Sequence, residues 1–145
     1  MASIRAIAIC LCAGIAGCTT AAPTPSFSPQ QATGTYLPVD LTPELIAMVK
    51  TGVTNRLKDP GSVQFGAMKA SAKTGDREMV TVCGFVNAKN SFGGYTGMQP
   101  YYGMLLRRSA TARGGFGVMQ FGSDRIKAGA IKDVCAQRSI YLPIE

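Results

Sequence analysis

Between residues 42 and 58 the apolar positions recur every four residues: Leu45, Val49, Val53 and Leu57 share one face of a predicted helix. Thr42 is placed to cap its first turn, Pro43 suits the first helical position, and Glu44 complements the positive end of the dipole. Asp59-Pro60-Gly61 then stops it in a tight turn. Beyond that turn the pattern shortens to strands. Val63 to Met68 is a short one, and Glu78 to Asn87 (EMVTVCGFVN) is the strongest. Period-two alternation puts Met79, Thr81, Cys83 and Phe85 on one face of it and Val80, Val82 and Val86 on the other. Pro100 to Arg108 and Gly115 to Phe121 follow. A closing helix, capped by Ser123 and running to about Arg138, gathers Ile131, Val134 and Cys135 on one side. Gly52 and Gly129 both count against helix at their positions. The expected fold is α+β: a small antiparallel sheet of three to four strands, with an N-terminal and a C-terminal helix packed on one side.

The first forty residues break this pattern. Met1 to Arg5 carries one positive charge, and Ala6 to Gly17 is apolar throughout. Twelve such residues fall short of the roughly 20 that a bilayer-spanning helix needs, and instead match the centre of a secretory signal. Ile15-Ala16-Gly17-Cys18 resembles the lipobox of bacterial lipoproteins: an apolar residue, two small ones that admit a peptidase, and the thiol that receives diacylglycerol. The expectation is removal of residues 1–17 and an anchor at Cys18 with two ester-linked acyl chains, enough for stable membrane attachment. Thr19, where aspartate would favour inner-membrane retention, directs the expectation to the outer membrane, with the domain in the periplasm or at the surface. Residues 18–40, rich in proline and hydroxyl side chains, are expected to form a flexible linker, leaving 41–145 as one α+β domain.

With 15 basic and 8 acidic residues the chain carries +7, yet it has no run of five like charges and no recognisable nucleic-acid module. Nucleic acid is not an expected partner. Anionic envelope polymers or lipid headgroups would attract such a surface non-specifically. Cys10 and Cys12 leave with the signal and Cys18 takes lipid, so Cys83 and Cys135 remain as an even pair in an oxidising compartment, expected to form a disulfide.

The connection from Ala88 to Gln99, AKNSFGGYTGMQ, is long for a hairpin, where 2–5 residues are usual. Its glycines and Asn90 permit left-handed backbone, and such turns aim N–H groups at anions. Asn87, Asn90, Phe92, Gly93, Gly94, Tyr95 and Gly97 form the candidate binding loop, a polar and aromatic surface for a sugar or peptide, with Tyr101 nearby. The alternative is a self-packed loop whose aromatic rings cover the sheet edge.

Leu57-Lys-Asp-Pro-Gly-Ser62 followed by Val82-Cys-Gly-Phe-Val-Asn-Ala-Lys-Asn-Ser-Phe-Gly-Gly-Tyr-Thr-Gly97 resembles a pattern, LKDPxS…CGxVNxxNxxGGYxG, that recurs in small exported bacterial proteins. The resemblance spans roughly residues 43–108. It implies a shared fold and export and carries no assigned activity, ligand or catalytic residue.

The chain has no histidine, which excludes Ser-His-Asp and Cys-His nucleophilic sites and histidine-based zinc hydrolases. It has no GxSxG, SxxK, GxxxxGK[ST] or GxGxxG. No catalytic residue, metal site or cofactor is therefore expected. Carboxylates are sparse, and Asp76 and Glu78, close in sequence, are expected to solubilise a turn rather than form a glycosidase pair. The expected function is a lipid-anchored interaction or structural module of the envelope, meeting a protein or glycan through the 87–97 loop. The alternative is a small periplasmic hydrolase with an unorthodox carboxylate or Ser-Lys site.

Overall fold

The computed structural model describes residues 34–76, 78–107 and 114–143. The expected signal segment, Cys18 and the linker up to Thr33 lie outside the described residues. The elements are β1 (Tyr36–Val39), α1 (Pro43–Thr54), a 3-10 turn (Pro60–Ser62), β2 (Gln64–Lys73), β3 (Met79–Asn87), β4 (Gln99–Leu106), β5 (Gly115–Phe121) and α2 (Arg125–Ala136). The five strands form one sheet in chain order, each antiparallel to the next.

The two helices lie on opposite faces of this sheet, not on one side as the sequence pattern suggested. Val80, Val82, Val86, Tyr101 and Leu105 point toward α1, whose Val49 and Val53 are fully buried against them. On the reverse face Cys83 packs with Ile131, Cys135 and Ile140. The reason lies in β3, whose residues from Val80 to Val86 are all buried. A central strand apolar on both faces needs cover on both. The disulfide between Cys83 and Cys135 fastens α2 to the second face, with Cα atoms 6.3 Å apart. The pairing and the split of β3 into two faces are as the sequence indicated.

The sheet has five strands where three to four were expected. The extra one, β1, falls inside the stretch assigned to the linker: Tyr36 to Val39 pairs with Ala70 to Lys73. It was hidden because Pro38 and the short run read as linker, yet proline is tolerated on an edge strand, where one side of the backbone has no partner. β2 runs five residues past Met68, for the same reason: Ala70, Ser71 and Ala72 are too small to show an apolar alternation, although Ala70 and Ser71 are buried.

Local signals set the helix ends. Thr42 Oγ1 accepts from Leu45 N at 3.4 Å. Asp124, rather than Ser123, caps α2: its carboxylate accepts from Lys127 N at 2.9 Å and pairs with the Lys127 ammonium at 3.0 Å. After α2 the chain turns through Ser139 at φ 57°. Arg138 O accepts from the buried Ser71 hydroxyl at 2.7 Å, which holds the closing segment to β2.

Gly52 marks where α1 comes closest to the sheet. A Cβ built there would stand 2.3 Å from Phe116 O on β5 and 2.9 Å from the Phe116 ring. Only a residue without a side chain lets the helix backbone approach the strand this closely. Gly129 has open space around it, and nothing in the structure explains its presence in α2.

Candidate functional site: the β3–β4 loop

The long connection is a small hairpin standing on a platform. Asn90 N donates to Gly94 O at 2.9 Å, Gly93 N donates to Asn90 O at 3.0 Å, and Lys89 and Tyr95 form an isolated antiparallel bridge. Gly93 takes φ 81°, so the tip is a turn closed by a left-handed glycine, a common three-residue hairpin loop. Gly97, at φ 93°, bends the chain back toward β4.

Asn90 organises this hairpin from within. Its side-chain Oδ1 accepts from Phe92 N at 2.9 Å and from Gly94 N at 3.1 Å. The amides of residues 92, 93 and 94 are thus all turned onto Asn90. The sequence suggested that these glycines would aim N–H groups outward at an anion; here those donors are already satisfied within the loop.

The platform is the 58–62 segment that follows α1, which ends at Thr54, four residues before the predicted end at Lys58. Ser62 is its hub: its hydroxyl accepts from Lys89 N at 2.9 Å and donates to Asp59 O at 3.0 Å, and its carbonyl accepts from the Tyr95 hydroxyl at 3.0 Å. Lys58 Nζ donates to Ser91 Oγ at 2.9 Å, and the Lys89 ammonium lies 5.8 Å from the centre of the Tyr95 ring. The LKDPxS and GGYxG halves of this chain's pattern therefore meet in space. Sequence reasoning did not place Lys58, Ser62 and Lys89 in the site, although the first half of that pattern held the signal.

This geometry divides the candidate residues into supports and a presented group. Asn90, Gly93, Gly94, Tyr95 and Gly97 shape and fasten the loop. Asn87 closes β3, its Nδ2 donating to Gln64 Oε1 at 3.4 Å, while its Oδ1 is buried with no hydrogen-bond partner among the described residues. Phe92 is the exception. It sits at the tip 96% exposed, the most exposed large apolar side chain among the described residues. Its ring covers no sheet edge.

Tyr101 is no part of this surface. It is fully buried beneath α1, beside Phe116 and Phe121, and burial pushes its hydroxyl pKa upward. A concavity of about 510 Å³ lies on the reverse face, where Phe85, Met98 and Pro100 face Ile131 and Leu142, with Lys132 and Asp133 also among its lining residues.

Asp76 and Asp124 take structural positions. Asp76 Oδ1 accepts from Glu78 N at 3.0 Å and Met79 N at 2.9 Å, closing the turn before β3. Those two backbone bonds hold its pKa below the ordinary value. Backbone and side-chain bonds from Lys127 do the same for Asp124. Among the described residues no three side chains of metal-ligating type converge. Compared with protein-family models, curated proteins and solved structures, the chain matches none.

Proposed function

We propose that the protein is a lipid-anchored module of the bacterial envelope, held in the outer membrane through Cys18, with a single non-catalytic domain that meets an envelope component through the 87–97 loop. One observation carries the reading of the loop. The polar groups that shape it are committed to Asn90 or to the 58–62 platform, yet the phenyl ring at its tip is left in water. Fixing a loop costs about 1–2 kcal/mol of backbone entropy per residue, and a solvated phenylalanine returns none of it. A preformed knob with an exposed aromatic anchor has the features of a binding hot spot, because its ordering cost is met before association.

The test uses whole cells. Cross-linking from Lys58 and Lys89 with an amine-and-diazirine reagent should capture an envelope component, lipid or macromolecule, and Phe92→Ala should remove that adduct without changing the melting temperature. An unchanged adduct in Phe92→Ala would refute the role of the loop. Mass spectrometry of the N-terminal peptide should show diacylglyceryl on Cys18; an intact Met1 terminus would refute the anchor.

A single contact favours the hydrolase reading: Lys58 Nζ and Ser91 Oγ are 2.9 Å apart. A lysine base needs a desolvated site, and this pair is exposed. The amides that would stabilise an oxyanion nearby are spent on Asn90. A fluorophosphonate probe should leave Ser91 unlabelled; labelling abolished by Lys58→Met would establish the dyad.

A further inference from the structure

We infer that the component met by the loop is an anionic lipid surface, with the Phe92 ring entering the headgroup region and the ammonium groups of Lys58 and Lys89 meeting its phosphates. This rests on the reading of the loop as the contact face and names what it contacts. Three observations support it.

The first is the side chain itself. A phenyl ring has no hydrogen-bonding group, so its exposure offers a partner only apolar area and a ring face. An apolar ring flanked by lysines is the composition of segments that lie in the membrane interface, where the ring reaches the acyl boundary and the ammonium groups stay among phosphates. The second is placement. Lys58 is bonded to Ser91, next to Phe92, and the Lys89 ammonium lies over the Tyr95 ring, so the hairpin that carries the phenyl ring also holds two cations. The third is the local charge. From Met79 to Ser123 the chain holds no Asp or Glu; Lys89, Arg107, Arg108 and Arg113 are its only charged residues there. Asp59 on the platform is the one acidic group the loop's supports bring with them. A glycan would also stack on an aromatic face, but it is read through hydrogen-bonding groups, and those of Asn90 and Tyr95 are turned inward.

The chain contains no tryptophan, which allows a site-specific reporter. Phe92→Trp places one at the tip. Met79→Trp places another at the far end of β3, a strand roughly 25 Å long, beside the competing basic segment at Arg107. The full protein, extracted from envelopes, is reconstituted into vesicles of phosphatidylcholine with about 30–40% phosphatidylglycerol, which sets the surface charge, or of phosphatidylcholine alone. With brominated acyl chains, the indole at position 92 should be quenched and blue-shifted on the anionic vesicles. It should lose that quenching on neutral vesicles, at high salt, and in the Lys58→Gln, Lys89→Gln background. The indole at position 79 should remain in water. The inference is overturned if position 92 stays in water on anionic vesicles, if neutral vesicles quench it equally, or if position 79 is quenched in its place. A protein or glycan adduct at Lys58 or Lys89, with the indole at position 92 unquenched, would sink this inference and leave the loop's binding role standing.

Discussion

Gly52→Ala is a test in which two physical effects oppose each other and the structure fixes the winner. In an isolated helix the change stabilises by about 1 kcal/mol, because alanine has the higher propensity. In this domain the new methyl group would stand 2.3 Å from the carbonyl oxygen of Phe116, whereas non-bonded heavy atoms are at ease near 3.5–4.0 Å. The obstacle is strand backbone, so α1 must lift by about 1 Å, a gap that forfeits a quarter to a half of each contact it opens. Val49 and Val53 each contribute about 1.5–3 kcal/mol by burial, and losing that share costs about 1–2 kcal/mol; residual overpacking adds about 1–3. Subtracting the propensity gain leaves a net destabilisation of about 2 kcal/mol, or about 8–16 °C in melting temperature for a domain near 100 residues. Gly129→Ala is the internal control. It is the same chemical change in α2 with open space around it, and should stabilise by about 0.5–1 kcal/mol. Urea titrations of both variants, with equal m-values, read the two signs directly. A Gly52→Ala protein as stable as the parent would refute the close seating of α1 on β5.

Two further predictions concern how the second face is held. Cys83 and Cys135 are 52 residues apart, so reducing their bond should cost about 4 kcal/mol by the chain-entropy relation. The urea midpoint with and without reductant measures it, and an unchanged midpoint would contradict the role of the bridge. Asp124→Ala should lower the melting temperature at neutral pH by removing the α2 cap. The folded-state pKa of Asp124 lies below its ordinary 3.8, so its contribution is present above that value and is lost as pH falls through the folded pKa. The gap between variant and parent should therefore close in acid, and a gap independent of pH would refute the ionised cap.

The parts of the fold legible in sequence were those written as apolar periodicity. Val49 and Val53 gave α1, the valines of β3 gave the central strand, and the Cys83–Cys135 pair gave the bridge. The errors have separate sources. Apolar alternation on β3 identifies two faces without saying how each is covered, and Cys83 and Phe85 were the sign that both are. β1 and the end of β2 rest on backbone pairing by Pro38, Ala70, Ser71 and Ala72, residues with little side-chain signal. Gly52 reads as a weak helix position until the strand beneath it is known. In the loop, chain order separates Ser62 from Lys89 and Tyr95, so the sequence showed an unusual connection and its aromatic residues. It did not show that Asn90 and Tyr95 are braces, or that the Phe92 ring stands at the tip in water. Phe65 also lies beside a lysine, its ring 5.5 Å from the Lys50 ammonium, but it packs against the core, whereas Phe92 does not.

The most direct measurement is photo-cross-linking in living cells with a benzophenone amino acid in place of Phe92, compared with the same reagent in place of Met79. A discrete envelope adduct at position 92, lipid or macromolecule, with none at position 79, is the predicted result. No adduct at 92, or the same products from both positions, would contradict the claim that this loop is the surface the protein presents.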